Sequence, residues 1–185
     1  GADAIVASGT EAGGHVGAIA TMPLVPMVVD AVNVPVIATG GIGDARGFLA
    51  AFSLGALGVQ IGTRFMATTE SDLNAWGLDQ LLTMKETNTI VSRAMTGSTV
   101  RCVATPELIA YEEARLSGAS KEDLAELRKA VVRGRNTKKG DKRQSAMGQV
   151  GGMVNDVRPV GEFIEGMITE AAQLAGTVQG IAQGK

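Results

Sequence analysis

A single histidine lies among glycines near the start of the chain. His15 is the one histidine in 185 residues, and it lies in the stretch 11–17 with Gly13 and Gly14 before it. Imidazole titrates near neutrality, so it serves as a general acid or base, and glycines let a planar ligand approach the backbone. The alternative is a histidine that caps a turn or packs in the core. The glycine-rich setting directly after an apolar segment favours an acid–base role.

Two further glycine-containing loops follow the next apolar segments. Gly40 and Gly41 precede a helix, and Gly62 and Thr63 follow another short strand. Backbone N–H groups in such loops and at helix N-termini bind anions, although either loop alone also fits an ordinary tight turn. Two consecutive strand-end loops of this kind form the phosphate site after strands seven and eight of a (β/α)8 barrel. The pair therefore predicts a phosphate clamp.

Three short strands separated by helices hold these loops. This βαβαβ spacing predicts a parallel sheet in an α/β fold. Thr21 is the expected N-cap of the first helix, whose start Pro26 is expected to delay, whereas Asp44 caps the second helix and Gly55 ends it. The predicted strands are Ala4–Ala7, Val36–Ala38 and Val59–Ile61, and the predicted helices are Met22–Val32 and Ala45–Leu54.

The sequence from about residue 68 onward predicts helices. One is expected over Leu73–Lys85, and another begins at Thr105 and Pro106 and ends at Gly118. Ser120 is expected to cap a third helix. A long helix is expected to begin at Pro159, with an apolar stripe made of Val160, Phe163, Ile164, Met167, Ile168, Ala171, Leu174 and Ala175.

Some charged and reactive side chains have two interpretations. The basic run Arg133–Arg143 is predicted to be an exposed loop, or else a surface for an acidic carrier protein or a nucleotide phosphate. Cys102 either packs in the core or is a thiolate favoured by Arg101. Arg64 and Glu70 fit an ordinary ion pair. The eight methionines fit either an apolar pocket or ordinary packing.

Composition excludes several classes of protein. The formal net charge is −2, which argues against a nucleic-acid binder. No apolar run reaches the roughly 18 residues of a membrane span, and we expect a cytoplasmic protein. One cysteine and one histidine exclude an internal disulfide and a four-ligand His/Cys zinc site.

The open edges of a three-stranded sheet predict further strands, because unpaired edges are rarely left exposed. We expect these strands either upstream in the natural chain or in a partner chain. A homodimer formed through the open edges is a related possibility.

The stretches EAGGHVG and TMPLVPMVVDAVNVPVIATGGIGDARGFLAAFSLGALGVQIGTRFMATTES closely resemble the nitronate monooxygenase (2-nitropropane dioxygenase) family and its relative, the flavin-dependent type II enoyl-acyl-carrier-protein reductase. The resemblance covers residues 1–71 and resumes at Ser145–Val154. It implies a TIM barrel that binds FMN, with this chain as strands six to eight plus a helical C-terminal region. By this comparison residues 1–71 belong to the barrel, 72–144 to a helical insertion or substrate region, and 145–185 to a flavin-covering turn and a returning C-terminal helix.

The resemblance also implies roles for particular residues. His15 matches the family's catalytic base or proton donor beside the flavin. The FMN phosphate is expected at Gly40, Gly41, Gly62 and Thr63, with Gln60 on the strand that leads to them and Gly13 and Gly14 close to the cofactor. The turn 147–152 is expected to cover the flavin, with Gln149 near its ring.

Three functions follow from these expectations. The first is oxidation of alkyl nitronates with FMN and O2. The second is NAD(P)H-dependent, FMN-mediated reduction of enoyl thioesters, and the third is a non-catalytic half-barrel that requires a partner. A phosphate-binding barrel of the nucleotide dehydrogenase type shares the clamp but uses a loop cysteine, and no cysteine lies in the predicted strand-end loops.

Overall fold

The computed structural model describes residues 1–135 and 146–184, with only the backbone of 133–135. The strands are β1 (Ile5–Ser8), β2 (Gly14–His15), β3 (Val36–Thr39), β4 (Gly58–Gln60), β5 (Thr89–Ser92) and β6 (Val100–Val103). The α-helices are α1 (Thr21–Ala31), α2 (Ala45–Ser53), α3 (Ala75–Leu82), α4 (Pro106–Leu116), α5 (Lys121–Arg135) and α6 (Val160–Ala182), and 3-10 turns span Thr63–Ala67 and Gln149–Met153.

The parallel sheet has the strand order β1–β3–β4. Ile5 pairs with Val36 and Ile37 with Gly58, and α1 and α2 are the crossover connections. The predicted α/β fold and its three strands are therefore confirmed, with each strand displaced by one residue at one or both ends. The sheet core consists of small and β-branched residues, namely Ala7, Val25, Val36, Ala38, Ile42, Ala51 and Ala56.

The start of α1 differs from the prediction. Thr21 is the first helical residue and Ala20 is the N-cap, so the assignment of Thr21 as the cap was wrong. Instead, the Glu11 carboxylate accepts the Thr21 N–H at 2.9 Å and takes the place of a local capping side chain. Pro26 lies inside the helix and does not delay its start, because this external acceptor stabilises the first turn.

Asp44 caps α2 as predicted. Its carboxylate accepts the N–H groups of Arg46 at 2.9 Å and Gly47 at 3.2 Å. Gly55, with φ +94°, follows the end of the helix as the expected glycine stop. The N–H groups of Arg46 and Gly47 are thus bound by the cap, and the donors that remain in this loop are those of the glycines before Asp44.

We expect Asp44→Ala to lower the free energy of unfolding by about 1 kcal/mol at neutral pH, the usual effect of losing an N-cap. Burial raises the pKa of the Asp44 carboxyl, but hydrogen bonds from Arg46 and Gly47 outweigh burial and bring the pKa below its usual 3.8. A lowered pKa makes this stabilisation fully present above pH 3.8, and it is lost as the pH falls through the folded-state pKa. Urea denaturation at several pH values measures the difference, with exposed Asp72→Ala as control. Equal losses in the two variants would contradict the assignment.

A second sheet occupies part of the region predicted to be helical. β5 and β6 form an antiparallel hairpin within 72–144. Residues 9–17, which follow β1 and carry His15, are called the histidine loop here, and β2 within it pairs with β6. The region predicted as a helical insertion therefore contains a β-hairpin that the sequence analysis did not predict, in addition to its helices. Each strand has only four residues, and a seven-residue connection joins them instead of a recognisable tight turn. β2 is too short to leave any periodic signal.

The predicted helices of the C-terminal half are otherwise present. Thr105 and Ser120 cap α4 and α5, and Gly118 adopts φ +82° after α4. The expected exposed loop over the basic run is wrong for residues 133–135, which continue α5, and its remainder, 136–143, lies outside the described residues.

The long helix α6 packs on α2 through part of its apolar stripe. Phe163, Met167 and Ala171 are buried against Ala45 and its neighbours. Ile164 and Ile168 of the same stripe are exposed, so the contact face is narrower than the sequence pattern. Across residues 1–135 and 146–184, no helix combines the length and the hydrophobicity that crossing a membrane requires.

Candidate functional site

A cavity of about 210 Å³ lies at the carboxyl ends of β3 and β4. Parallel strands place their carboxyl ends, and the loops that follow them, at one edge of the sheet, where α/β proteins bind ligands. The cavity is lined by Glu11, Ala12, Gly13, Thr39, Gly40, Gly41, Ile42, Gln60, Gly62, Thr63, Met66, Ala146, Gly148 and Val150.

The two glycine loops supply backbone donors to this cavity. Gly40 and Gly41 have φ values of +102° and +73°, a conformation that disfavours any residue with a Cβ. Within the described chain, the N–H groups of Gly41, Gly62 and Thr63 have no backbone acceptor. A Cβ built on Gly62 would meet no atom within 4 Å, so its surroundings are open. Together these features form a concave site with hydrogen-bond donors for an anion.

Glu11 and Thr21 join the first two strand-end loops. The Thr21 hydroxyl lies 3.0 Å from Glu11 Oε2 and 2.9 Å from the Gly40 carbonyl oxygen, and its single proton is donated to one of them. A Cβ on Gly9 would lie 1.9 Å from this hydroxyl, so glycine is required there for packing. The sequence analysis missed this network. The feature that could have indicated it is Glu11, an acidic residue shortly before α1, a helix whose N-cap Ala20 has no capping side chain.

The turn that follows residue 145 covers the cavity. The Gly148 N–H donates to Thr63 Oγ1 at 2.9 Å, and the Gln149 N–H donates to the Glu11 carbonyl at 2.9 Å. A Cβ on Gly13 would lie 2.7 Å from the Gly148 nitrogen, so the two backbones are in direct contact. The turn is therefore fixed to the tips of two different strand-end loops.

Six of the predicted site residues are brought together at the cavity: Gly13, Gly40, Gly41, Gln60, Gly62 and Thr63. Gly14, His15 and Gln149 are not among its lining residues. Gly14 and His15 form β2, where His15 pairs with Val100 and its side chain is exposed. Gln149 is exposed and contributes its backbone N–H to the turn. The lining also contains Gly148 and Val150, from the turn 147–152 that was expected to cover the flavin, and Met66, one of the methionines for which an apolar pocket was an alternative. No role was predicted for Ala146.

Arg64 does not line the cavity and joins the segment after the covering turn to α6. Its buried guanidinium donates to Asp156 Oδ1 at 2.7 Å and lies 4.8 Å from the centre of the Phe163 ring. Burial lowers its pKa, and the Asp156 charge opposes that effect. The expected Arg64–Glu70 pair is not formed, because Glu70 accepts the Val160 N–H at the start of α6 instead.

Cys102 packs in the insertion and does not form a reactive thiolate. It is fully buried among Ala94, Leu108 and Val131. Desolvation raises the pKa of its thiol to about 11, and the charge of Arg101 offsets this only in part. The described residues contain no cluster of three metal-ligating side chains.

A larger cavity, of about 420 Å³, lies at β5 and α4 and is lined by Val91, Ser92, Arg93, Thr99, Glu112 and Arg115. It is separate from the strand-end loops, and none of the predicted site residues lines it. The cavity at β3 and β4 is therefore the candidate site, although it is smaller.

The fold and the site define an α/β protein with a ligand cavity at the carboxyl ends of its parallel strands. The sequence model of the nitronate monooxygenase family matches residues 1–170, so the chain belongs to the nitronate monooxygenase family.

Similar proteins agree with this membership. A probable nitronate monooxygenase of Staphylococcus aureus (strain JH9) is 46% identical over 111 residues, which are 55% of this chain and 31% of that protein. FabK from Thermotoga maritima has a TM-score of 0.82 at 36% identity, covering 98% of this chain and 58% of its own. Nitroalkane oxidase from Streptomyces ansochromogenes has a TM-score of 0.73 at 30% identity, covering 96% and 54%. The chain thus spans about a third of the curated relative's length and somewhat over half of each solved chain.

Proposed function

We propose that the chain forms the phosphate-binding side of an FMN site in a flavin-dependent oxidoreductase, within the second half of a TIM barrel. The observation that carries this proposal is the cavity at the tips of β3 and β4, lined by Gly41, Gly62 and Thr63, whose N–H groups have no backbone acceptor among the described residues. Membership of the nitronate monooxygenase family supports it independently.

The residues present fit the phosphate end of this cofactor. The cavity volume of about 210 Å³ is below the roughly 300–1,000 Å³ of complete small-molecule pockets, so it suits part of a ligand. Among residues 1–135 and 146–184, no lysine or arginine lines it, so backbone N–H groups are the main donors that this part of the chain offers to an anion. The one carboxylate in the lining, Glu11, accepts hydrogen bonds from Thr21, which direct its charge to the N-terminus of α1.

Bound flavin supplies the electron transfer of such an enzyme, and the protein anchors it and moves protons. Gly40, Gly41, Gly62 and Thr63 bind its phosphate in this proposal, with Gln60 and Gly13 beside the cofactor and Gly14 in the adjacent strand. The turn held by Thr63 and Glu11 limits the access of water. Gln149 near the flavin ring stays a prediction.

His15 is the proposed acid–base group. Its exposed side chain is accessible to substrate, and its backbone is fixed by pairing with Val100. With a neutral nitroalkane, the imidazole removes the carbon-bound proton to give the nitronate. An alkyl nitronate has already lost that proton and needs no base. We favour oxidation of alkyl nitronates because the chain belongs to the nitronate monooxygenase family.

Enoyl-thioester reduction is the second candidate. The higher TM-score and identity of FabK relative to nitroalkane oxidase favour it. In this reaction NAD(P)H is the reductant, and His15 donates a proton to the carbon beside the thioester carbonyl.

Flavin titration followed by anaerobic rapid mixing tests the proposal. We expect FMN to bind with quenched flavin fluorescence and the bound flavin to be bleached by propyl nitronate without a pyridine nucleotide. Bleaching by NADPH followed by reoxidation with crotonyl-CoA would instead support the reductase. A chain that binds no FMN would overturn the proposal for this chain and favour the non-catalytic half-barrel that needs a partner. Sedimentation of the same sample tests the predicted homodimer.

A further inference from the structure

Arg101 is a buried cation in the insertion with a direct connection to the histidine loop. Its exposed fraction is 7%, although it belongs to a four-residue strand. Nε donates to the Thr10 carbonyl oxygen at 2.7 Å, and Nη1 donates to Thr89 Oγ1 at 2.8 Å. One guanidinium thus contacts both Thr89 of β5 and Thr10, which lies 91 positions before Arg101 in the sequence.

Both acceptors of Arg101 are neutral. Within residues 1–135 and 146–184, no carboxylate lies within ion-pair distance of it. Burial lowers the pKa of Arg101, and the charge of Glu11 acts against this effect. Desolvating a guanidinium that forms no direct ion pair is costly, so hydrogen bonds to fixed acceptors must compensate that cost.

The histidine loop is attached to β6 at two points, and Arg101 contributes to both. At the beginning of the loop, the Arg101 side chain donates a hydrogen bond to the Thr10 carbonyl oxygen. At its end, Gly14 pairs with Arg101, His15 pairs with Val100, and the Val16 N–H donates to the Thr99 carbonyl at 3.1 Å. A two-residue strand is too short to be stable alone. The side-chain bond therefore restricts the loop where the backbone ladder does not reach.

We propose that Arg101 is a positioning residue that fixes His15 relative to the cofactor cavity, acting through Thr10 and the β2–β6 pairing. Its role in turnover rests on the function proposed above. Cofactor binding is carried by other residues, because Arg101 does not line the cavity. The β5–β6 insertion thereby controls the geometry of the acid–base group without contacting substrate.

Arg101→Lys keeps the charge but loses the fork that reaches two acceptors, and Thr89→Val removes one acceptor only. Arg128→Lys is the matched control, since Arg128 Nε donates to the Ala94 carbonyl at 2.9 Å away from the histidine loop. We expect hydrogen exchange of the Val16 amide to accelerate about tenfold in Arg101→Lys, less in Thr89→Val, and not at all in Arg128→Lys. The Ile5 amide, which donates to Pro35 in the parallel sheet, is the internal reference.

The imidazole signal gives a second readout that needs no cofactor. His15 is the sole histidine, so its two carbon-bound ring protons give the only histidine ring resonances in the spectrum, which we expect to shift or broaden in Arg101→Lys. In the FMN-loaded Arg101→Lys protein, kcat with the neutral substrate nitroethane should fall about tenfold, while the Kd for FMN changes less than twofold.

Unchanged Val16 exchange and an unchanged imidazole signal in Arg101→Lys would overturn the proposal, and so would an unaltered kcat despite a loosened loop. Loss of FMN binding in Arg101→Lys would also overturn it and assign the residue to the cofactor site. If the wild-type chain itself binds no FMN, the proposed function fails, whereas the exchange and NMR results still decide whether Arg101 positions His15.

Discussion

His15→Gln is expected to lower kcat/KM for a neutral nitroalkane by about 10²- to 10⁴-fold, the usual contribution of a general acid–base group. Glutamine retains a polar side chain but cannot accept a proton near neutral pH. The replaced imidazole is exposed on β2, so the variant should keep its free energy of unfolding to within about 0.5 kcal/mol. Steady-state oxygen consumption with nitroethane measures the loss.

The preformed nitronate is the matched substrate control. It carries no carbon-bound proton for His15 to remove, so its oxidation by His15→Gln should fall much less than nitroalkane oxidation. Equal losses for both substrates would place His15 in substrate binding and not in proton transfer. Full activity with both would remove it from the mechanism.

The sequence predicted the parallel sheet and its loops well because the signals there are local. Asp44 and Gly55 mark the ends of α2, and glycine pairs after short apolar runs mark the strand tips. The six predicted residues that line the cavity were found from the same local signals. They lie together because the carboxyl ends of neighbouring parallel strands must lie at one edge of the sheet.

Long-range backbone pairing explains what the sequence did not predict. The acceptor for the α1 N-terminus is Glu11, ten residues earlier, and the partner of β2 is β6, about 85 residues later. Neither has a periodic signal. Arg101 was considered only as a neighbour of Cys102, because nothing in the local sequence indicates that its guanidinium reaches Thr10.

The two glycine loops differ in how much the fold depends on them. Gly41 adopts φ +73° and a Cβ there would contact Glu11 Cβ at 3.4 Å, so a larger residue strains the backbone and displaces the loop network. Gly62 has φ −108°, which other residues adopt readily, and open space around its Cβ position. A substitution at Gly62 is therefore expected to change ligand binding without changing the stability of the fold.

Gly62→Val is expected to weaken FMN binding by about 10- to 150-fold while the chain stays folded. The side chain would enter the cavity and keep the phosphate from the N–H groups of Gly62 and Thr63. Losing one hydrogen bond to a charged group costs about 1.5–3 kcal/mol, which corresponds to that loss of affinity. Fluorescence titration with FMN measures the change, and thermal unfolding of the free protein verifies the fold.

Gly161→Val is the matched control, because a Cβ at Gly161 also meets no atom within 4 Å but lies in the first turn of α6, outside the cavity. It should bind FMN like the wild type. Gly41→Val should lose both affinity and about 1–2 kcal/mol of stability, since a Cβ is unfavourable at positive φ. Undiminished FMN affinity in a folded Gly62→Val protein would show that the phosphate lies elsewhere, because no phosphate can reach donors that a valine side chain covers.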